Sequence, residues 1–141
     1  MNIVVEEYRS RVLLAPQTTA TAAGGYVLPT AGSNKINIRA IAKMGNAADL
    51  VLTVNYADDT SGTNATAFSD VPVYVNGVRQ AIDSETYTIG DATGNFIVDF
   101  AIDPILIPAG KHIGIGYGNS NAANLVAAEI IENVGYKPTA S

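Results

Sequence analysis

The sequence predicts an all-β fold: a single β-sandwich, jelly-roll-like, with an extended N-terminal arm. Two observations carry this. The strong hydrophobic patterns have period two, and turn residues separate them at short, regular intervals. Lys35 to Lys43 sets Ile36, Ile38, Ala40 and Ala42 on one side. Asp49 to Tyr56 does the same with Leu50, Leu52, Val54 and Tyr56. Asn95 to Asp103 sets Phe96, Val98, Phe100 and Ile102 against Ile97, Asp99, Ala101 and Asp103. Successive side chains of a strand point to opposite faces, so each stretch reads as a half-buried strand.

Residues 1 to about 30 differ from the rest. Ile3–Val5 and Arg11–Leu14 are short apolar runs around a charged patch, and Pro16–Gly25 is rich in Thr, Ala and Gly. This is either two short strands joined by a loop or an arm reserved for a neighbouring subunit. We divide the chain into an arm or edge strand over 1–16 and a sandwich domain over 17–141. Strands 35–43 and 50–56 follow, then the polar stretch Asp58–Asn64, whose small side chains suit a surface loop. Val71, Val73 and Val75 alternate up to Asn76-Gly77, a two-residue hairpin signal, since both residues tolerate positive φ. Pro72 has no N–H for a ladder, which places this strand at an edge or begins it there. Thr86–Ile89 is β-prone, and Gly90–Gly94 turns it into Asn95–Asp103. Asp103-Pro104 stops that strand. Pro108-Ala109-Gly110 is a further turn, before Ile113, Ile115 and Tyr117 alternate with His112, Gly114 and Gly116. Glycines on one face of a strand mark close approach by another group. The last segment, 122–134, reads either as a helix capped by Asn121 or as a strand; the strand is favoured because an all-β sheet needs a closing partner.

Size and composition narrow the function classes. At 141 residues the chain fits one domain that buries enough surface to fold unaided. It has no Cys, so neither a disulfide framework nor a thiolate zinc site is available. Net charge is −5, and the eight Lys and Arg are scattered, so nucleic acid is not an expected partner. No apolar run approaches the ~18 residues of a membrane helix, and no membrane partner is expected. Met1–Glu7 lacks the basic and apolar regions of a signal peptide, so secretion by that route is not expected.

Catalytic and metal chemistry find little support, and we expect no enzyme, no cofactor and no metal. Asp99 and Asp103 share one side of a strand, as paired carboxylates for acid–base work would, but they read better as its solvated face. Asp58 and Asp59 lie in an oxygen-rich loop without the EF-hand spacing. His112 is the single imidazole, and no G-x-S-x-G elbow accompanies it. Gly114-Ile-Gly-Tyr-Gly118 has Asn119 where a dinucleotide fingerprint needs Gly, and it sits inside a strand pattern. Of the seven tyrosines, Tyr56 and Tyr117 are in register with core residues. Tyr8 and Tyr74 are contact candidates, because Tyr joins an apolar body to a polar tip.

The stretches Val71-Pro-Val-Tyr-Val-Asn-Gly-Val-Arg79, Thr86–Phe100, Ile107-Pro-Ala-Gly-Lys-His112 and Asn119-Ser-Asn-Ala-Ala-Asn-Leu125 resemble small structural proteins of tailed bacteriophages that decorate or cement the capsid. The likeness spans about residues 34 to 138. It lies in general character, that of a short, Cys-free, acidic β-chain rich in Ala, Thr and Asn, and no single residue is diagnostic. It implies a β-sandwich on the outer surface of a virion, made in the host cytoplasm. It implies a homotrimer whose partner is the major capsid protein. The expected capsid or subunit contacts are Ile3, Val4, Val5, Tyr8, Leu13, Leu14 and Tyr74. The rival reading on the same fold is a carbohydrate-binding or adhesion module of a tail or cell-surface assembly.

Overall fold

The alternating stretches become the central strands of two packed antiparallel sheets. The computed structural model describes residues 8–90 and 92–134; the expected contacts Ile3, Val4 and Val5 lie outside them. Eleven strands are described: β1 (Tyr8–Thr18), β2 (Ala23–Val27), β3 (Lys35–Met44), β4 (Leu50–Ala57), β5 (Thr66–Ala67), β6 (Val73–Val75), β7 (Val78–Arg79), β8 (Thr86–Ile89), β9 (Gly94–Ile102), β10 (His112–Tyr117) and β11 (Asn124–Asn133). One sheet has the order β1-β11-β3-β9-β6-β7. The other runs β2-β10-β4-β5, with β8 also paired to β4.

The pairing is that of a long hairpin rolled over on itself. β1 pairs β11, β2 pairs β10, β3 pairs β9 and β4 pairs β8. Cross-links β11·β3 and β10·β4 close the two sheets. The first strand therefore meets the last, and the chain passes between sheets at almost every connection. This is jelly-roll winding, in which two sheets share one core. Strands β5 to β7 are an excursion inserted between β4 and β8.

The core follows the period-two reading. Ile36, Ile38, Ala40 and Ala42 of β3 face Leu50, Leu52 and Val54 of β4, with Val98, Phe100, Ile113, Ile115 and Ile130 from their neighbours. Full burial of each large aliphatic or Phe side chain contributes roughly 1.5–3 kcal/mol. The C-terminal segment is strand β11: Val126, Ala128, Ile130 and Glu132 all point inward. Asn121 does make a cap-like bond, its Oδ1 accepting from the Ala123 N–H, but the turn it forms leads into a strand. Asn76 and Gly77 take φ of +49° and +81° and join β6 to β7, as the hairpin signal requires. Asp103 caps a 3₁₀ turn at Pro104–Leu106, which ends β9.

The N-terminal segment departs from simple alternation. From Tyr8 onward it is an edge strand of the chain's own six-stranded sheet. Leu13 and Leu14, expected as contact residues, are both buried in the core. The reason is a bulge. Val12 lies opposite Glu129 and Leu14 opposite Ala128, so two residues oppose one and adjacent side chains both turn inward. A second irregularity falls between Leu14 and Gln17, where Pro16 has no N–H to give. At this corner β2 crosses tight against β1: a side chain at Gly25 would run into the Leu13 carbonyl.

One carboxylate lies in the interior. Glu132 has no solvent exposure, and Arg11 of β1 pairs with it at 2.7 Å. The Thr30 N–H and hydroxyl and the Ser33 hydroxyl also donate to it. Breaking such a buried pair on one side costs about 3–5 kcal/mol. Glu132 thus fastens both the edge strand and the loop before β3.

Candidate functional site

The outer face of the six-stranded sheet holds the contact candidates that remain. Register lays its side chains out in cross-strand rows. One row runs Glu129, Arg39, Asp99, Tyr74, Arg79 across β11, β3, β9, β6 and β7. Its charges alternate in sign, with Arg39 paired to Asp99 within the row and Arg79 paired to Asp83 beside it. Arg39 donates to both oxygens of Asp99, at 2.7 and 3.3 Å, and Asn37 donates to Asp99 at 2.9 Å. The hydrogen bond to Asp99 raises the pKa of Arg39 above its already high ordinary value. The Arg79 guanidinium lies 5.9 Å from the Tyr74 ring centre, within cation–π range.

The next row toward the far end of β3 is apolar. Ile41 sits between Ala127 and Ile97, with Leu125 two residues along β11. Ile41, Ile97 and Leu125 are each exposed. Val12 and Tyr8, on the edge strand β1, are 68% and 65% exposed, which leaves them uncovered. Among the described residues, nothing pairs the outer side of β1 over Tyr8–Val12.

Toward the opposite end of β3 the same face is hollowed into a groove of about 820 Å³. Asn37, Ala101 and Ile131 line its base, adjacent in register across β3, β9 and β11. Tyr8 bounds it on β1 and Tyr74 on β6. Asp70, Pro72, Asp103 and Leu106 also line it. The fold thus brings together two tyrosines that sequence reasoning selected separately. It does not bring Leu13 or Leu14 there.

The carboxylates among the other candidates have hydrogen-bond partners within the fold, whereas the buried Nδ1 of His112 has none. Asp99 and Asp103 both line the groove, as their spacing required. Asp99 is held by Arg39 and Asn37, and Asp103 accepts from the Ile105 N–H. In the 58–64 loop, Asp59 accepts from the Ser61 and Thr63 N–H groups and from the Thr63 hydroxyl. Asp58 accepts from Lys111 and Asn64. These bonds hold both carboxyls below the usual aspartate range, Lys111 foremost for Asp58 and the Thr63 hydroxyl for Asp59. No three His, Cys, Asp or Glu side chains cluster among the described residues. His112 starts β10 opposite Ala57, half-buried. Tyr117 is buried, and burial raises its hydroxyl pKa. Tyr56 packs edge-on against Phe68.

Sequence reasoning missed the groove and the apolar row. The signal for the row lies in the alternation itself, since Ile41, Ile97 and Leu125 stand on the polar side of their strands. In comparisons with known proteins, no family model and no curated protein matches this chain.

Proposed function

We propose that this chain is a structural virion protein that decorates and cements the capsid of a tailed bacteriophage. It binds the outer capsid surface as a homotrimer, with the major capsid protein as its partner. The observation that carries the reading is the open edge of β1 beside uncovered apolar side chains. Proteins blunt long edge strands, and here the bulges and Pro16 do so only beyond Val12. The flat part, Tyr8–Val12, is left as a template onto which a partner strand adds by main-chain hydrogen bonds. Ile41, Ile97 and Leu125 add separate exposed apolar side chains on the same sheet face, one row beyond Glu129 and Arg39, and exposed apolar surface of this kind marks protein contacts. The jelly-roll fold is compatible with this role and with many others. The mechanism is multivalent bridging, in which weak contacts per subunit sum through trimer geometry.

The test has two stages. Native mass across a concentration series is expected to give a species of three times 14.6 kDa. Co-sedimentation with phage capsids stripped of their decoration follows, comparing wild type with Val12→Glu and Ile41→Glu. Both positions are exposed, so the variants keep the fold and are expected to lose capsid pelleting. Pelleting that survives both substitutions overturns the edge-and-patch mechanism. No pelleting by the wild-type protein overturns the function.

A further inference from the structure

The capsid reading uses the edge and the apolar row and leaves the groove without a task. We propose that this groove, between Tyr8 and Tyr74, binds a neutral oligosaccharide. Its volume, about 820 Å³, lies within the range of ligand clefts. Its base is a sheet face, which offers side chains and no free backbone N–H or C=O. An extended peptide laid there would have no ladder to join, whereas a sugar is recognised by side chains alone. Tyr8 presents an exposed ring on which the apolar face of a pyranose stacks, and Tyr74, with Arg79 over its ring, bounds the far side. The exposed carboxyls of Asp70 and Asp103 line the same groove, suited to adjacent hydroxyls.

Charge selects the class of glycan. Asp99 is neutralised by Arg39, which leaves Asp70 and Asp103 exposed against Lys35, the one cation among the described lining residues. The field therefore opposes phosphate, sulfate and uronate groups, while ionised carboxylates accept strong hydrogen bonds from neutral hydroxyls. Length follows from the sheet. Tyr8 on β1 and Tyr74 on β6 are four strand spacings apart, about 19 Å across the strands, and their rows lie a further four residues apart along them. A single sugar ring does not bridge that distance, so the ligand is an oligomer.

Electrophoresis in native gels cast with a soluble neutral glucan, mannan or galactan, or with polygalacturonate, tests this. Retardation is expected in at least one neutral gel and not in the acidic one. Tyr8→Ala, at an exposed position, and Asp70→Asn, which keeps a residue tolerant of its φ of +52°, are each expected to weaken retardation about tenfold. Ile82→Ser, at an exposed position outside the groove, is expected to leave it unchanged. Absence of retardation in every neutral gel overturns the proposal. So does retardation that persists in both groove variants. Capsid pelleting is read separately, so failure here leaves the capsid reading standing.

Discussion

The two outer faces of the sandwich are built from the same alternation and treat their tyrosines in opposite ways. On the five-stranded sheet, the outward rows run Tyr26, Gly114, Asn55 and Gly24, Gly116, Thr53, Thr86. Tyr26 lies down on this floor and is 7% exposed, with its hydroxyl accepting from Asn55. A Cβ at Gly24 or Gly62 would strike its ring at 3.1 or 2.6 Å. The 58–64 loop closes over it. On the six-stranded sheet Tyr8 stands free, Tyr74 bounds a groove, and isoleucines occupy positions that face solvent. One face folds its aromatic down onto itself, and the other holds its aromatics and aliphatics out. The lesson is that a candidate contact surface is marked by what the chain's own loops leave uncovered, and composition alone does not separate the two faces.

The largest expected effect comes from filling the glycine floor. A side chain at Gly114 would run into the Gly25 carbonyl and lie 2.8 Å from the Tyr26 Cα, and backbone cannot step aside as a flexible side chain can. Gly114→Val is expected to cost more than about 4 kcal/mol or to prevent folding, measured as the shift of the urea midpoint. A cost below about 1 kcal/mol would mean that β2 is free to slide off β10. The next effect is on the six-stranded side. Glu132→Ala leaves Arg11 with the Leu28 carbonyl but no carboxylate and the Thr30 N–H without its acceptor, for an expected loss of about 3 kcal/mol. Amide exchange is expected to rise first in β1. If β1 stays protected, Leu13 and Leu14 hold the edge strand alone, and the exposed edge is more rigid than Glu132 makes it.

How much of this was legible in the sequence depends on range. The faces of β3, β4, β9 and β10 could be read because period two is a property of each strand by itself. The Asn76-Gly77 hairpin was legible for the same local reason. β1 was not, because two bulges shift its register, and a bulge is set by the partner strand. Leu13 and Leu14 are expected from the sequence as contact residues, and both are core. The inward position of Glu132 was visible in the alternation of β11, but its partner Arg11 lies on the strand at the other end of the chain. The groove was beyond reach for the same reason. It exists only because the first strand pairs with the last, which sets Tyr8 beside Asn133 and four strands from Tyr74.

The smallest effect sharpens the contrast between faces most directly. The loop over Tyr26 is held by Asp58 and Asp59, whose carboxyls titrate below the ordinary aspartate value of 3.8 because Lys111 and Thr63 bond to them. A depressed folded-state value means that the unfolded chain takes up protons first as pH falls. Their contribution is therefore complete above 3.8 and disappears as pH drops through the folded values. Both groups are fully exposed, so global stability is expected to change little. The local consequence is specific. Protonating Asp59 weakens the bonds from Ser61 and Thr63 that fix the loop and set Gly62 against the Tyr26 ring. Ring resonances followed by NMR are expected to shift for Tyr26 only below pH 3.8, with those of Tyr8 and Tyr74 tracking no such step. Asp59→Asn is expected to move the Tyr26 resonances at neutral pH toward their acid positions. A Tyr26 ring indifferent to both would mean that the glycine floor and Asn55 alone hold it down, and that the loop covers this face without ordering it.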